Sequence, residues 1–255
     1  MKALILAAGY GTRLRPLTDR LPKPLIPIAG RPLIEYLLEP LEALDAVDGV
    51  IVVSNHRFHD QFAGWLAGRG PARFPLTVLD DGSTANENRR GAIGDIRFAL
   101  RETGLDRRPE DLLVVAGDHI FEMDWKALVD TFRRRDASVI GVERDPDPEQ
   151  LRLCGVVEVD REGRVTGFVE KPREPRTDIL SPPIYIYHRR DLALVDVYLR
   201  QGGNADAPGH FVEWLHRRTA VWAHFLGGRR HDIGNLESLQ KTDAEFKARG
   251  PGKGL

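Results

Sequence analysis

Through about the first 145 residues, short runs of aliphatic and β-branched residues alternate with segments whose apolar residues recur every three or four positions. The runs Ala3 to Ala8, Val50 to Ser54, Leu76 to Leu79, Leu112 to Ala116 and Ser138 to Val142 are apolar almost throughout, as strands buried on both faces must be. Between them, Leu33 to Leu44, Phe58 to Leu66, Ala92 to Arg101 and Trp125 to Arg135 carry helical spacing, weakened in the first by Pro40. Strand-helix alternation of this kind predicts an α/β fold, Rossmann-like, with a mixed, mainly parallel sheet flanked by helices.

After Arg144 the rhythm changes. Gly155 to Val159 and Val165 to Val169 flank Asp160-Arg161-Glu162-Gly163 and read as an antiparallel hairpin, the start of a small β-rich lobe. A strand at Ile184 to Tyr187, helices near Leu192 to Leu199 and Phe211 to His216, a strand at Ala220 to Phe225 and a helix from about Leu236 to Lys247 complete the prediction. The Gly-Pro-rich end, residues 250–255, reads as a flexible tail.

Composition narrows the class. With 37 basic and 38 acidic residues the net charge is −1, so no global field gathers nucleic acid or an anionic membrane, and phosphate binding must rest on local cations. The apolar run at the N-terminus falls far short of the ~20 residues that a membrane span needs. A single cysteine, Cys154, cannot form an intramolecular disulfide, which fits a reducing compartment and a cytoplasmic protein.

Candidate chemistry begins where the first strand runs into Ala8-Gly9-Tyr10-Gly11-Thr12-Arg13. Glycines at the carboxyl edge of a sheet let backbone N–H groups turn toward an anion. This loop lacks the third glycine of a dinucleotide fingerprint and the Gly-Lys-Ser/Thr of a P-loop, and by itself it is equally a tight turn. Its continuation through Leu14-Arg15-Pro16-Leu17-Thr18 to Leu21-Pro22-Lys23-Pro24-Leu25-Ile26-Pro27 resembles the amino-terminal signature of the sugar-phosphate nucleotidyltransferases, in particular the glucose-1-phosphate thymidylyltransferase and mannose-1-phosphate guanylyltransferase kind.

The resemblance extends along nearly the whole chain, and it implies roles for particular residues. Ala8, Gly9, Gly11, Thr12 and Arg13 would bind the nucleotide, with Arg13 and Lys23 as the catalytic cations; triphosphate carries about four charges, and Arg can bridge two of its oxygens. Gly117-Asp118 ends a strand where the family has a magnesium-ligating aspartate, and His231-Asp232-Ile233-Gly234 is similar to the family's second metal block, so Asp118 and Asp232 would hold Mg²⁺. An N-cap or loop aspartate remains the alternative at each, Asn235 being a cap candidate in its own right. Phe168-Val169-Glu170-Lys171-Pro172 resembles the family's Glu-Lys-Pro motif, in which Glu170 would accept sugar hydroxyls and Lys171 would hold the sugar phosphate; a surface ion pair is the plainer reading. Gly155 would offer backbone to the sugar, although Cys154 stands where a Tyr is usual. Asn86 and Gly91 fall in the stretch that reads the base, which departs from the family pattern, as does Ser181-Pro182-Pro183.

On this resemblance one nucleotidyltransferase domain covers 1–249, with a nucleotide-binding part to about 145, a sugar-binding part over about 146–235 and a terminal helix over about 236–249. The implied reaction joins a nucleoside triphosphate and a sugar-1-phosphate by in-line attack on the α-phosphorus, with Lys23 and Lys171 flanking the transferring group. The family's members are often dimers or tetramers, so a homo-oligomer is an expectation by analogy. A cytidylyl- or guanylyltransferase using a non-sugar or cyclitol phosphate, and a non-catalytic regulatory homologue, are the competing readings. His56 and His59 have no third partner in sequence and read as surface or capping residues.

Overall fold

A computed structural model describes residues 1–250; residues 251–255 of the expected tail lie outside the described residues. In chain order the elements are β1 (Lys2–Leu6), β2 (Pro27–Ile28), β3 (Arg31–Pro32), α1 (Glu35–Ala43), β4 (Val50–Ser54), α2 (His59–Gly68), β5 (Leu76–Asp80), α3 (Ala92–Glu102), β6 (Leu112–Ala116), β7 (His119–Glu122), α4 (Trp125–Arg135), β8 (Ser138–Arg144), α5 (Pro148–Leu151), β9 (Gly155–Val159), β10 (Val165–Glu170), β11 (Ile179–Ser181), β12 (Ile184–Tyr187), α6 (Ala193–Arg200), α7 (Gly209–Leu215), β13 (Val221–Phe225), β14 (Arg229–Asp232) and α8 (Leu236–Ala248). The fold is mixed α/β, and it divides into two compact units, each assembled from separated stretches of chain.

One unit comprises Met1–Leu4, Arg90–Val115 and Lys126–Gly227. Its strands run in the order β10-β9-β11-β8-β12-β6, with β13 also paired to β8. β13 lies parallel to β8, whereas β12 is antiparallel to both β6 and β8. The expected hairpin is β9 and β10, paired antiparallel from Val165↔Val159 to Glu170↔Gly155 with a register shift between Val165 and Gly167. Tyr187, Phe211, Tyr198 and Trp214 form a continuous series of edge-to-face ring contacts that seats α6 and α7 in the core.

The other unit comprises Ile5–Arg89, Ala116–Trp125 and, among the described residues, 228–250. β4 and β5 are parallel from Val50↔Leu76 to Ser54↔Asp80, and β4 is buried at every position, as its unbroken apolar run requires. The antiparallel ribbon β7-β14 stands apart from these strands. Beneath it Ile120 and Ile233 join Leu14, Ile26, Leu33, Tyr36 and Phe246 in one hydrophobic cluster, which ties the glycine loop, the ribbon and α8 together.

Three details depart from the sequence expectations. β1 ends at Leu6 rather than Ala8, because the Ala8 carbonyl accepts from the buried Asn55 Nδ2 at 2.9 Å, a side chain taking the place of a ladder partner. Pro40 lies within α1 without ending it. The strands β7, β11 and β14 carry no readable signal: they are three or four residues long, and Arg229-Arg230-His231-Asp232 contains no aliphatic residue.

Candidate active site

The glycine loop is shaped by its neighbours. Gly11 sits at φ 56°, the left-handed region, and a Cβ there would come within 2.9 Å of Thr18 Cγ2. Thr18 Oγ1 in turn donates to the Gly11 carbonyl at 2.8 Å. Tyr10, between the two glycines, is buried and donates to Ser83 Oγ at 3.3 Å, and Ser83 donates to Asp81. Thr12 and Arg13 open a single 3-10 turn, Thr12–Leu14, with Leu14 buried below and both side chains above exposed. Among the described residues, Arg13 has no hydrogen-bonded or ionic partner; it is an exposed cation on the turn Thr12–Leu14.

Lys23 occupies the turn Lys23–Leu25 and is only 7% exposed. Its Nζ donates to Asp118 Oδ2 at 2.6 Å, and the other carboxylate oxygen, Oδ1, lies 2.6 Å from His119 Nδ1. Burial opposes the charge on Asp118, yet the Lys23 ammonium and the His119 ring hold its carboxyl well below the usual carboxylate range. Gly117 permits this approach: a Cβ there would stand 3.0 Å from the Leu6 carbonyl oxygen and 3.1 Å from Pro24 Cγ.

Asp232, 114 residues further on, is delivered by the ribbon. It is the direct cross-strand partner of His119, and directly opposed residues present their side chains on one face. His119 Nε2 lies 3.9 Å from Asp232 Oδ1, and Asp118, His119 and Asp232 each offer a ligand atom within 4.8 Å of the others. Two carboxylates and an imidazole suit a divalent cation. Neither aspartate is a helix cap, since Asp118 leads into a strand and Asn235 caps α8, its Oδ1 accepting from Ser238 N at 2.8 Å. His119 was not singled out from sequence; its place directly after Gly117-Asp118 is the signal that could have found it.

In the other unit Glu170 is the cross-strand partner of Gly155. A Cβ at Gly155 would sit 2.2 Å from Phe168 Cζ and 3.1 Å from Glu170 Oε2, so this position has room for glycine alone. Among the described residues the Glu170 carboxylate has no hydrogen bond and no ion pair, which removes the reading of Glu170 and Lys171 as a surface pair. Burial pushes its carboxyl up to about 7, against the pull of Lys171 and with the help of Glu213. Lys171 is exposed at φ 49°, held in this left-handed turn by its N–H bond to the Cys154 carbonyl at 3.0 Å. Gly209 and Glu213 of α7 also belong here, and sequence reasoning missed both: Glu213 Oε2 accepts the Glu170 N–H at 3.3 Å.

Asn86 begins the turn Asn86–Asn88, half-buried, with its side-chain amide unengaged among the described residues. The bracing of that turn falls to Asn88, whose Oδ1 accepts from Thr84 N and Ala85 N. Gly91 has a packing reason to be glycine, because a Cβ there would lie 2.4 Å from the Ala205 carbonyl oxygen. His56 and His59 are engaged with Asp80 and Ser54, as capping and surface histidines are.

A mixed α/β fold carrying a glycine loop beside a lysine-aspartate pair and a second aspartate defines a phosphate-handling transferase class. The chain belongs to the nucleotidyl transferase family, which it matches over residues 2–248. It is 28% identical to a UTP–glucose-1-phosphate uridylyltransferase of Staphylococcus epidermidis, over 98% of this chain and 93% of that protein. It is 25% identical to a glucose-1-phosphate adenylyltransferase of Lachnospira eligens, covering 96% of this chain and 60% of the relative. In structure it resembles a UDP-glucose pyrophosphorylase complexed with UDP-glucose, with a TM-score of 0.79 at 19% identity over 97% of this chain and 98% of the other. Among the described residues no helix is long and apolar enough to cross a membrane.

Proposed function

We propose that the chain transfers a nucleotidyl group from a nucleoside triphosphate to a sugar-1-phosphate, giving a nucleotide sugar and pyrophosphate. The observation that carries this reading is the convergence of Lys23, Asp118 and Asp232 in the unit that holds the glycine loop. The amides of Ala8, Gly9, Gly11 and Thr12, together with Arg13, hold the triphosphate, and Asn86, with the backbone at Gly91, reads the base. Glu170 and the Gly155 backbone take sugar hydroxyls, and Lys171 takes the sugar phosphate. On this reading the triphosphate and metal residues Arg13, Lys23, Asp118 and Asp232 belong to one compact unit and the sugar residues Gly155, Glu170 and Lys171 to the other.

The chemistry asks little of covalent catalysis. The second pKa of a phosphate monoester is about 6, so the attacking oxygen is anionic near neutrality and needs no protein base. What opposes the reaction is repulsion between two polyanions, and catalysis reduces to alignment and neutralisation of charge. Lys23 and Arg13 meet the charge of the triphosphate and of the pyrophosphate that leaves. Asp118 and Asp232 are the residues that would hold Mg²⁺, which supplies further neutralisation at phosphate oxygens.

The test is pyrophosphate release with Mg²⁺ across a matrix of nucleoside triphosphates and sugar-1-phosphates, a cyclitol phosphate and phosphocholine included. Turnover with a sugar-1-phosphate is the expected result, and it names both substrates. Turnover confined to phosphocholine or the cyclitol phosphate replaces the sugar acceptor. Silence from a folded protein that still binds nucleotide overturns the catalytic reading.

A further inference from the structure

Both oxygens of Asp118 are engaged by side chains of the protein itself. Oδ1 is fixed by His119 Nδ1 at 2.6 Å and Oδ2 by Lys23 Nζ at 2.6 Å. These two contacts differ in kind. The His119 ring is buried, stacked on Phe121 with 5.6 Å between centroids, and carried on β7, so it holds Oδ1 rigidly. Lys23, buried to the same degree, differs in its chain: it reaches Oδ2 on four rotatable bonds from a turn beside Gly11, whose Cβ position lies 3.7 Å from Lys23 Cβ, and a lysine ammonium is a compact charge that moves between anionic partners.

We propose that Lys23 is a built-in counter-cation for Asp118, excluding divalent metal from Oδ2 until a polyphosphate draws the ammonium away. This inference rests on the reading of Asp118 and Asp232 as metal ligands. A divalent ion bound at Oδ2 and an ammonium 2.6 Å from the same oxygen repel one another, so the two cations compete for one position. Triphosphate offers Lys23 an alternative anion. Its arrival frees Oδ2, and metal and triphosphate then favour each other's binding, each by the same factor. His119 keeps the carboxylate aimed throughout, so the exchange costs no rearrangement of the ribbon.

The experiment is an Mn²⁺ titration followed by electron paramagnetic resonance, on full-length protein without nucleotide, comparing the parent, Lys23→Met, Lys23→Gln, Asp118→Asn and the double variant Lys23→Met/Asp118→Asn. Thermal melts check that each is folded, and the second lysine variant serves if the first is not. Removing the ammonium is expected to tighten Mn²⁺ binding by about tenfold or more, and Asp118→Asn in the same chain to cancel that gain. Unchanged or weaker binding in both lysine variants, with binding still sensitive to Asp118→Asn, overturns the counter-cation while leaving the metal site standing. Binding indifferent to Asp118→Asn in every background overturns both.

Discussion

Glu170 rests against Gly209 so closely that a Cβ at position 209 would lie 1.8 Å from Glu170 Oε2. The two residues are 39 positions apart and sit on different elements, β10 and the first residue of α7. Gly155 flanks the same carboxylate from β9, so two glycines leave the space into which Glu170 folds. Among the described residues that carboxylate has no hydrogen-bond partner, a costly state for a buried polar group.

Gly209→Ala is therefore expected to displace Glu170 without unfolding the unit, because the colliding group is the free end of a flexible side chain. The KM for sugar-1-phosphate should rise about tenfold, equivalent to about 1.4 kcal/mol, with the KM for nucleoside triphosphate unchanged. Steady-state kinetics with each substrate varied in turn decides it. Equal effects on both substrates would remove Glu170 from the sugar contacts.

The raised pKa of Glu170 makes a prediction about stability. Burial lifts its carboxyl from an ordinary 4.5 to about 7, so between those values the folded protein holds a proton that the unfolded chain has released. Stability attributable to this group is full below pH 4.5 and is lost as pH rises through 7. Glu170→Gln should raise unfolding stability at pH 8 by about 1 to 3 kcal/mol, give no gain at pH 4, and depress sugar-dependent turnover. Urea denaturation at the two pH values checks the sign; a loss of stability at pH 8 would contradict it.

Most elements were legible because their signals are local. The run Val50 to Ser54 is a strand for the reason its composition gives, and Trp125 to Arg135 is a helix over the expected span. The ribbon β7-β14 was not legible, since Arg229 to Asp232 acquires its strand geometry from pairing with residues 107 to 113 positions away rather than from its own propensity. That ribbon brings Asp232 opposite His119, so the aspartates could be named from motif resemblance while the pairing of His119 with Asp232 could not. Gly209 and Glu213 were invisible for a similar reason: their effect on Glu170 exists only once α7 is packed against β10.

Arg13 offers the cleanest separation of function from stability. It is exposed and, among the described residues, unpaired, so Arg13→Ala should change unfolding free energy by no more than about 0.5 kcal/mol. The same substitution should lower kcat by about 100-fold, with little change in sugar KM, if its charge acts chiefly on the transition state. A kcat equal to the parent's would take Arg13 out of the chemistry.

Glu122 ends β7 and joins the ribbon to α8: Arg249 pairs with both of its oxygens, through Nη2 to Oε1 at 3.0 Å and through Nη1 to Oε2, and His231 Nε2 lies 2.6 Å from Oε1. Arg249, outweighing partial burial and aided by His231, depresses the carboxyl from an ordinary 4.5 to about 2. A depressed carboxyl stabilises the fold above its unfolded pKa and ceases to do so as pH falls from 4.5 to about 2. With Glu122 21% and Arg249 29% exposed, solvent screening limits the effect, and Glu122→Gln should cost about 1 to 2 kcal/mol at pH 7 and little at pH 2. Because His231 precedes Asp232 on β14, loosening this anchor should also weaken Mn²⁺ binding severalfold, an effect absent from Lys126→Ala, which breaks an exposed ion pair with Asp130 on α4. Melting curves across pH 2 to 7, together with the Mn²⁺ titration, separate the two consequences, and a variant as stable as the parent at pH 7 would show that Arg249 and His231 do not stabilise the ribbon through Glu122.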